Sequence, residues 1–192
     1  QAKGLDYIAP VTDQAFSQAA LTQLPKSPVL GPATSGPTGG SITALAQDAT
    51  NPDKFSFSFS MADTNDFAFT QVGTGYFADP DEDGNVDEDG DGLVDSFGGM
   101  TMNIGSTLVL AADLDPGDRL KVEVVDSRGR KADFYLVGSA TAGLRNYTLN
   151  LSGINIPLNF DVTNILFINF VVDLDRMGPS GNVVIQTKGL DY

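Results

Sequence analysis

From Lys54 onward the chain alternates. Phe55, Phe57 and Phe59 are separated by Ser56, Ser58 and Ser60, the period of a half-buried strand with one aromatic face. Leu120, Val122 and Val124 alternate with Lys121 and Glu123. Ala132, Phe134 and Leu136 answer them across Asp126-Ser127-Arg128-Gly129-Arg130, which predicts a hairpin. Tyr147, Leu149 and Leu151 alternate with Asn146, Thr148 and Asn150. Phe67–Phe77 and Met100–Leu114 read as further strands, interrupted around Gly98-Gly99 and Gly105. Ile165–Val172 is apolar on both faces, as a central strand is, and Val183–Lys188 closes the set. Eight or nine strands, short turns and almost no helix predict an antiparallel β-sandwich.

The first forty residues are of another character. Thr12–Leu24 is a weak helix candidate that Thr12 or Asp13 can cap. Thr22–Gly40 holds Pro25, Pro28, Pro32 and Pro37 with Gly31, Gly36, Gly39 and Gly40, the composition of a linker or a surface-hugging arm. Lys3-Gly4-Leu5-Asp6-Tyr7 returns as Lys188-Gly189-Leu190-Asp191-Tyr192, 185 residues later. Such a repeat predicts a chain cut from a tandem array, with residues 1–7 the tail of the preceding unit. The expected organisation is therefore that tail, a helical turn and arm over 8–40, and a sandwich over 41–192.

Composition removes several kinds of chemistry. The 192 residues include no Cys, His or Trp. Thiolate sites, histidine metal sites and histidine acid–base catalysis are thereby excluded. Eleven basic residues face 25 acidic ones, so a phosphate backbone is repelled and nucleic acid is not an expected partner. No apolar run reaches the roughly 18 residues of a membrane helix. The first residues show no charged stretch followed by an apolar one, and a mature or excised chain would read the same. The acids outside the block described next are scattered on turns, and no Gly-rich phosphate loop follows a strand. The expectation is a noncatalytic chain.

Nine of the fourteen net negative charges lie between Asp79 and Asp95. Asp79, Asp81, Asp83 and Asp87 occupy positions 1, 3, 5 and 9 of a calcium loop, with Gly84 at the sharp turn and Asn85 supplying a carbonyl. Asp87, Asp89, Asp91, Gly92, Leu93 and Asp95 repeat the frame and share Asp87. Position 12 is Gly90 or Gly98, so the bidentate Glu of an EF-hand is missing. Alternate carboxylates around a Gly turn suit a hard cation with six to eight oxygen ligands, and Ca2+ is the expected cofactor. Over these 17 residues the block resembles thrombospondin type 3 repeats.

A broader resemblance runs from about Lys54 to the end. The segments Leu114–Val124, Asp133–Leu136, Tyr147–Leu149, Asn164–Val172 and Gly181–Ile185 together resemble the galactose-binding-like jelly rolls used as carbohydrate-binding modules. That resemblance implies a secreted or cell-surface protein that binds a polysaccharide or glycan on aromatic platforms. Trp is absent, so the candidates left are Tyr76, Tyr135 and Tyr147 with Arg128, Arg145 and Arg176. Asn146-Tyr147-Thr148 and Asn150-Leu151-Ser152 have the form of glycosylation acceptors. The alternative function is structural: a tandem unit of a surface stalk, surface layer or fibre, whose partners are neighbouring repeats.

Overall fold

The computed structural model describes residues 30–31, 40–51, 53–62, 67–73, 75–78, 87 and 89–187. The repeated pentapeptides, the Thr12–Leu24 helix candidate and Asp79, Asp81, Asp83 and Asn85 lie outside them. The described chain is an antiparallel β-sandwich. Its strands are β1 Leu30–Gly31, β2 Ser41–Gln47, β3 Lys54–Ser60, β4 Phe67–Val72, β5 Tyr76–Phe77 and β6 Phe97–Gly98. They continue as β7 Thr107–Asp113, β8 Arg119–Asp126, β9 Lys131–Val137, β10 Arg145–Asn150, β11 Ile165–Asp173 and β12 Ser180–Thr187. A single helical turn, α1 Leu174–Met177, joins the last two.

Two five-stranded sheets face each other. The first has the order β1-β4-β11-β8-β9, the second β10-β7-β12-β3-β2, and β5 pairs with β6 as a small ribbon. Without the edge strands β1 and β2, β3, β4 and β7–β12 are dealt between the sheets in the interleaved order of a jelly roll. Every pairing is antiparallel.

The hairpin expected at 126–130 is present, with Leu120 opposite Leu136, Val122 opposite Phe134 and Val124 opposite Ala132. Twelve strands exceed the eight or nine expected, for local reasons. The β2 register slips between Ile42 and Ala44, so its sequence carries no clean alternation. Phe67–Phe77 is divided at Gly73, whose φ is 130° and where a Cβ would come 2.5 Å from the Leu166 carbonyl oxygen. Met100–Leu114 becomes a strand only at Thr107, after a turn at Gly105, while Met102 bridges singly to Ile165.

Phe55, Phe57 and Phe59 point between the sheets, as their spacing requires, and Phe170 meets Phe55 edge-on with centroids 5.5 Å apart. Val122, Val124, Leu136, Ile168 and Ile185 complete the centre. Truncating one such ring is expected to be severe: Phe170→Ala should destabilise by about 3–4 kcal/mol in urea titration. A loss well under 1 kcal/mol would mean that the sheets close over the gap.

Candidate ligand-binding face and acidic loop

The two sheets differ on the sides turned away from the core. On the second sheet the outward positions are mostly small or polar, with Val109 and Val184 among them. Ser56 and Ser58 lie on β3, Asn182 and Gln186 on β12, and Asn146 and Thr148 on β10. The first sheet is unlike it. Gln71, Asn169, Glu123 and Asp133 stand directly opposite one another on β4, β11, β8 and β9. They form a straight polar row on the outward face, alternating with the core residues Val72, Ile168 or Phe170, Val122 and Ala132. Three of them are buried although they face outward: Glu123 and Asn169 at 0% exposure and Gln71 at 2%.

Glu123 organises the charge. Its Oε1 accepts from the Nζ of Lys121 and, at 3.2 Å, from the Nζ of Lys131. Its Oε2 accepts from Asn169 Nδ2 at 3.4 Å. Lys121 also bridges to Asp133 at 3.2 Å. The hydrogen-bonding capacity of the row is nevertheless incomplete. Both polar atoms of the Gln71 amide and Oδ1 of Asn169 are buried without a hydrogen-bond partner, and so is Oδ1 of Asp173, further along the same face of β11. Burial pushes the Asp173 carboxyl above the ordinary carboxylate range, and the Arg176 guanidinium, 3.6 Å away, pulls it back.

The sequence candidates divide. Tyr135 and Arg176 come together: the guanidinium lies over the ring, 4.6 Å from its centroid. Tyr135 is 47% exposed, next to Lys121 in register and two residues from Asp133. Tyr76 is also exposed, on the β5–β6 ribbon, with its ring against Gly98. Tyr147 turns inward against the core, and its hydroxyl donates to the Val137 carbonyl at 2.8 Å. Arg145 lies on β10 at the edge of the other sheet, its Nε donating to the Thr141 carbonyl at 3.3 Å. Arg128 reaches Asp91 at 3.5 Å.

The described part of the acidic segment is anchored to the same outward face. Val94 and Phe77 pack with Val125, Leu166 and Phe167 into a second small apolar cluster. Val125 and Phe167 are the outward positions next to Glu123 and Asn169. Phe77 meets Phe167 edge-on at 5.4 Å, and the Val94 N–H donates to the Arg128 carbonyl at 3.1 Å. Gly129 makes room for this contact: its φ is 74°, and an added Cβ would come 2.8 Å from Val94 Cγ2. Gly129→Ala should therefore cost about 1–2 kcal/mol of stability in thermal unfolding. It should also speed proteolysis near residues 87–95, and unchanged cleavage would argue that Val94 is not the anchor.

Carboxylate oxygens of Asp87, Asp89 and Asp95 lie within 4.8 Å of one another, so the trio could hold a metal ion. The backbone wraps them: Gly92 N–H donates to Asp87 at 2.8 Å and Asp89 N–H to Asp95 at 3.3 Å. Asp91 accepts from Leu93 N–H at 2.8 Å and faces Arg128. An all-oxygen carboxylate set suits a hard cation.

Sequence reading missed Gln71, Asn169 and Glu123. The signal was an uncharged polar residue inside an apolar strand, Gln71 in Phe67–Val72 and Asn169 in Ile165–Asp173. Glu123 was disguised by alternation, which assigns it to water.

No protein-family model matches the chain, and no curated protein matches it. Among solved structures it is similar to the family 11 carbohydrate-binding module of the cellulosomal cellulase Lic26A-Cel5E of Clostridium thermocellum. The identity is 11%, over 82% of this chain and 84% of that one, with a TM-score of 0.48. It is similar to part of an exo-beta-agarase at 11% identity, over 84% of this chain and 23% of that one, with a TM-score of 0.43. A third likeness is to the enzymatically active domain of tailspike protein 4 of bacteriophage CBA120. There the identity is 12%, over 81% of this chain and 18% of that one, with a TM-score of 0.35. The chain spans under a quarter of the length of these last two proteins.

Proposed function

We propose that this chain is a noncatalytic carbohydrate-binding or adhesive module of a secreted or cell-surface protein, and that Ca2+ stabilises it. The observation that carries the glycan reading is the outward face of the first sheet. There an exposed Tyr135, paired with Arg176, stands two residues from the exposed carboxylate of Asp133. Sugars are recognised by an aromatic ring against C–H groups together with polar side chains aimed at hydroxyls, and this face offers both. The polar outward face of the second sheet offers no aromatic ring among its described residues. Calorimetry with a panel of soluble glycans tests the reading. Binding that Tyr135→Ala weakens about tenfold or more supports it, and no heat with any glycan defeats it.

The calcium reading rests on Asp87, Asp89 and Asp95. Extracellular calcium modules have dissociation constants of about 0.1–1 mM. A site near ~0.1 mM adds about 2.7 kcal/mol at ~10 mM calcium. For a domain of this size that corresponds to a rise in Tm of roughly 5–11 °C, reversed by chelator. Asp87→Ala should abolish the calcium-dependent rise, because Asp87 belongs to both frames of the repeat and also holds Gly92. Identical melting curves in calcium and in excess chelator would remove the ion from this account.

A further inference from the structure

One half of the first sheet's outward face is shut off from water by something other than its own strands. Phe69 on β4 and Val171 on β11 stand opposite each other there, and each is 3% exposed. Gln71 and Asn169, the next outward pair, are buried as fully. Outward side chains of a sheet lose water only where another layer of chain lies on them. Val94 and Phe77 are such a layer at Val125 and Phe167. Among the described residues, neither Phe69 nor Val171 joins that cluster or the central core.

We infer that the cover over β4 and β11 is this chain's own N-terminal segment, residues 8–29, with Thr12–Leu24 laid on the face as an amphipathic helix. The other stretches outside the described residues are poor candidates. Residues 32–39 and 63–66 contain no apolar side chain larger than proline, and 79–86 offer only Val86 and Pro80 among four acids. Residues 188–192 follow β12, the middle strand of the opposite sheet. The N-terminal segment instead holds Ile8, Val11, Phe16, Leu21 and Leu24. It also arrives at the right place. Leu30 pairs with Val72, which sets the chain at the edge of β4 one position from Gln71.

Dimensions and chemistry both fit. A helix over Thr12–Leu24 would be about 20 Å long and about 10 Å across. Strand β4 extends about 20 Å, and the three strands β4, β11 and β8 span about 10 Å. Phe16, Ala19, Ala20, Gln23 and Leu24 recur at spacings of three and four, so they share one side of such a helix. The small residues at its middle let the helix settle closely on Phe69 and Val171. The one amide on that side answers the polar pair beneath. Gln71 Oε1 needs a donor and Gln71 Nε2 an acceptor, and a carboxamide such as that of Gln23 supplies both at once. The cover leaves the β9 margin, with Tyr135 and Asp133, as the part of this face open to a ligand. It stands whether or not a glycan binds there.

The chain has no cysteine, so one introduced thiol reports on the face. Val171→Cys is made in the full chain and its reaction with a thiol reagent is timed under native conditions. It should be protected. Adding Phe16→Asp should speed labelling about tenfold or more and lower Tm by about 4–10 °C. Gln18→Asp, on the opposite side of the helix, should change neither. Val183→Cys in the central core should stay protected beside Phe16→Asp, which separates local uncovering from unfolding. If Phe16→Asp does not fold, Phe16→Ala serves in its place, with a smaller rise in labelling. Rapid labelling of Val171→Cys with the native N-terminus would show an open face and overturn the inference. So would protection that survives both the Phe16 substitutions and deletion of residues 1–29, since another part of the chain would then be the cover. Protection that is lost on dilution, together with a dimer in light scattering, would assign the cover to a second copy and overturn the intrachain occupant.

Discussion

Asp126→Ala is expected to lower stability by about 3–5 kcal/mol, the cost of removing one partner from a buried, hydrogen-bonded ion pair. Asp126 is completely buried at the end of β8, and its carboxylate is fully used. Oδ1 accepts from the Arg128 and Arg130 N–H groups, both at 2.9 Å. Oδ2 accepts from Arg130 NH1 at 3.2 Å and from the Asp161 N–H at 3.0 Å. One side chain thus closes the β8–β9 turn and fastens it to the loop before β11. Alanine leaves three backbone donors and a guanidinium group without that acceptor. Tm should fall by roughly 6–20 °C. The neighbouring apolar cluster, with Val94 held on the Arg128 carbonyl, should loosen with it. Asp126→Asn retains one acceptor oxygen and should fall between the two. An unchanged urea midpoint for the alanine variant would show that the turn holds without the carboxylate.

Glu123→Ala should cost a similar amount, about 3–5 kcal/mol, for a different reason. Lys121 and Lys131 share Glu123 Oε1, and Lys131 is only 8% exposed. Without the carboxylate the two ammonium groups face each other and repel, and Asn169 Nδ2 loses its acceptor. Glu123→Gln keeps the volume and one oxygen but not the charge, so it should recover part of the loss. The diagnostic variant is the double replacement Glu123→Leu with Lys131→Met. Replacing both members of a buried pair by apolar groups is often neutral or stabilising, so the double variant should be more stable than Glu123→Ala alone. Strictly additive losses in a double-mutant cycle would mean that the two residues are not coupled.

Most of the β architecture was legible in the chain because burial on one side writes a period of two. The Phe55–Phe59 run, the paired alternations of β8 and β9 and the apolar β11 each predict a strand, and each is one. The extra strands were not legible. The bulge in β2 breaks its period, and β1, β5 and β6 are two residues long. The acidic frame predicted a cluster of carboxylates, and Asp87, Asp89 and Asp95 do converge. Their partner Asp91 faces Arg128, a residue the sequence places on a distant hairpin.

The candidate face shows where the sequence stops. It determined which strands alternate, that the turn at 126–130 is tight, and that no thiol or imidazole chemistry is available. It also named Tyr135 and Arg176, without indicating that they touch. Gln71, Glu123 and Asn169 are separated by 52 and 46 residues along the chain, and only strand register sets them side by side. Alternation fixes which side of a strand a residue faces. Whether that side meets water depends on what the rest of the chain lays against it, and Glu123, written as a solvent position, is buried. Local period follows from the geometry of one strand, whereas register, neighbours and burial on both sides are properties of the assembled sheets.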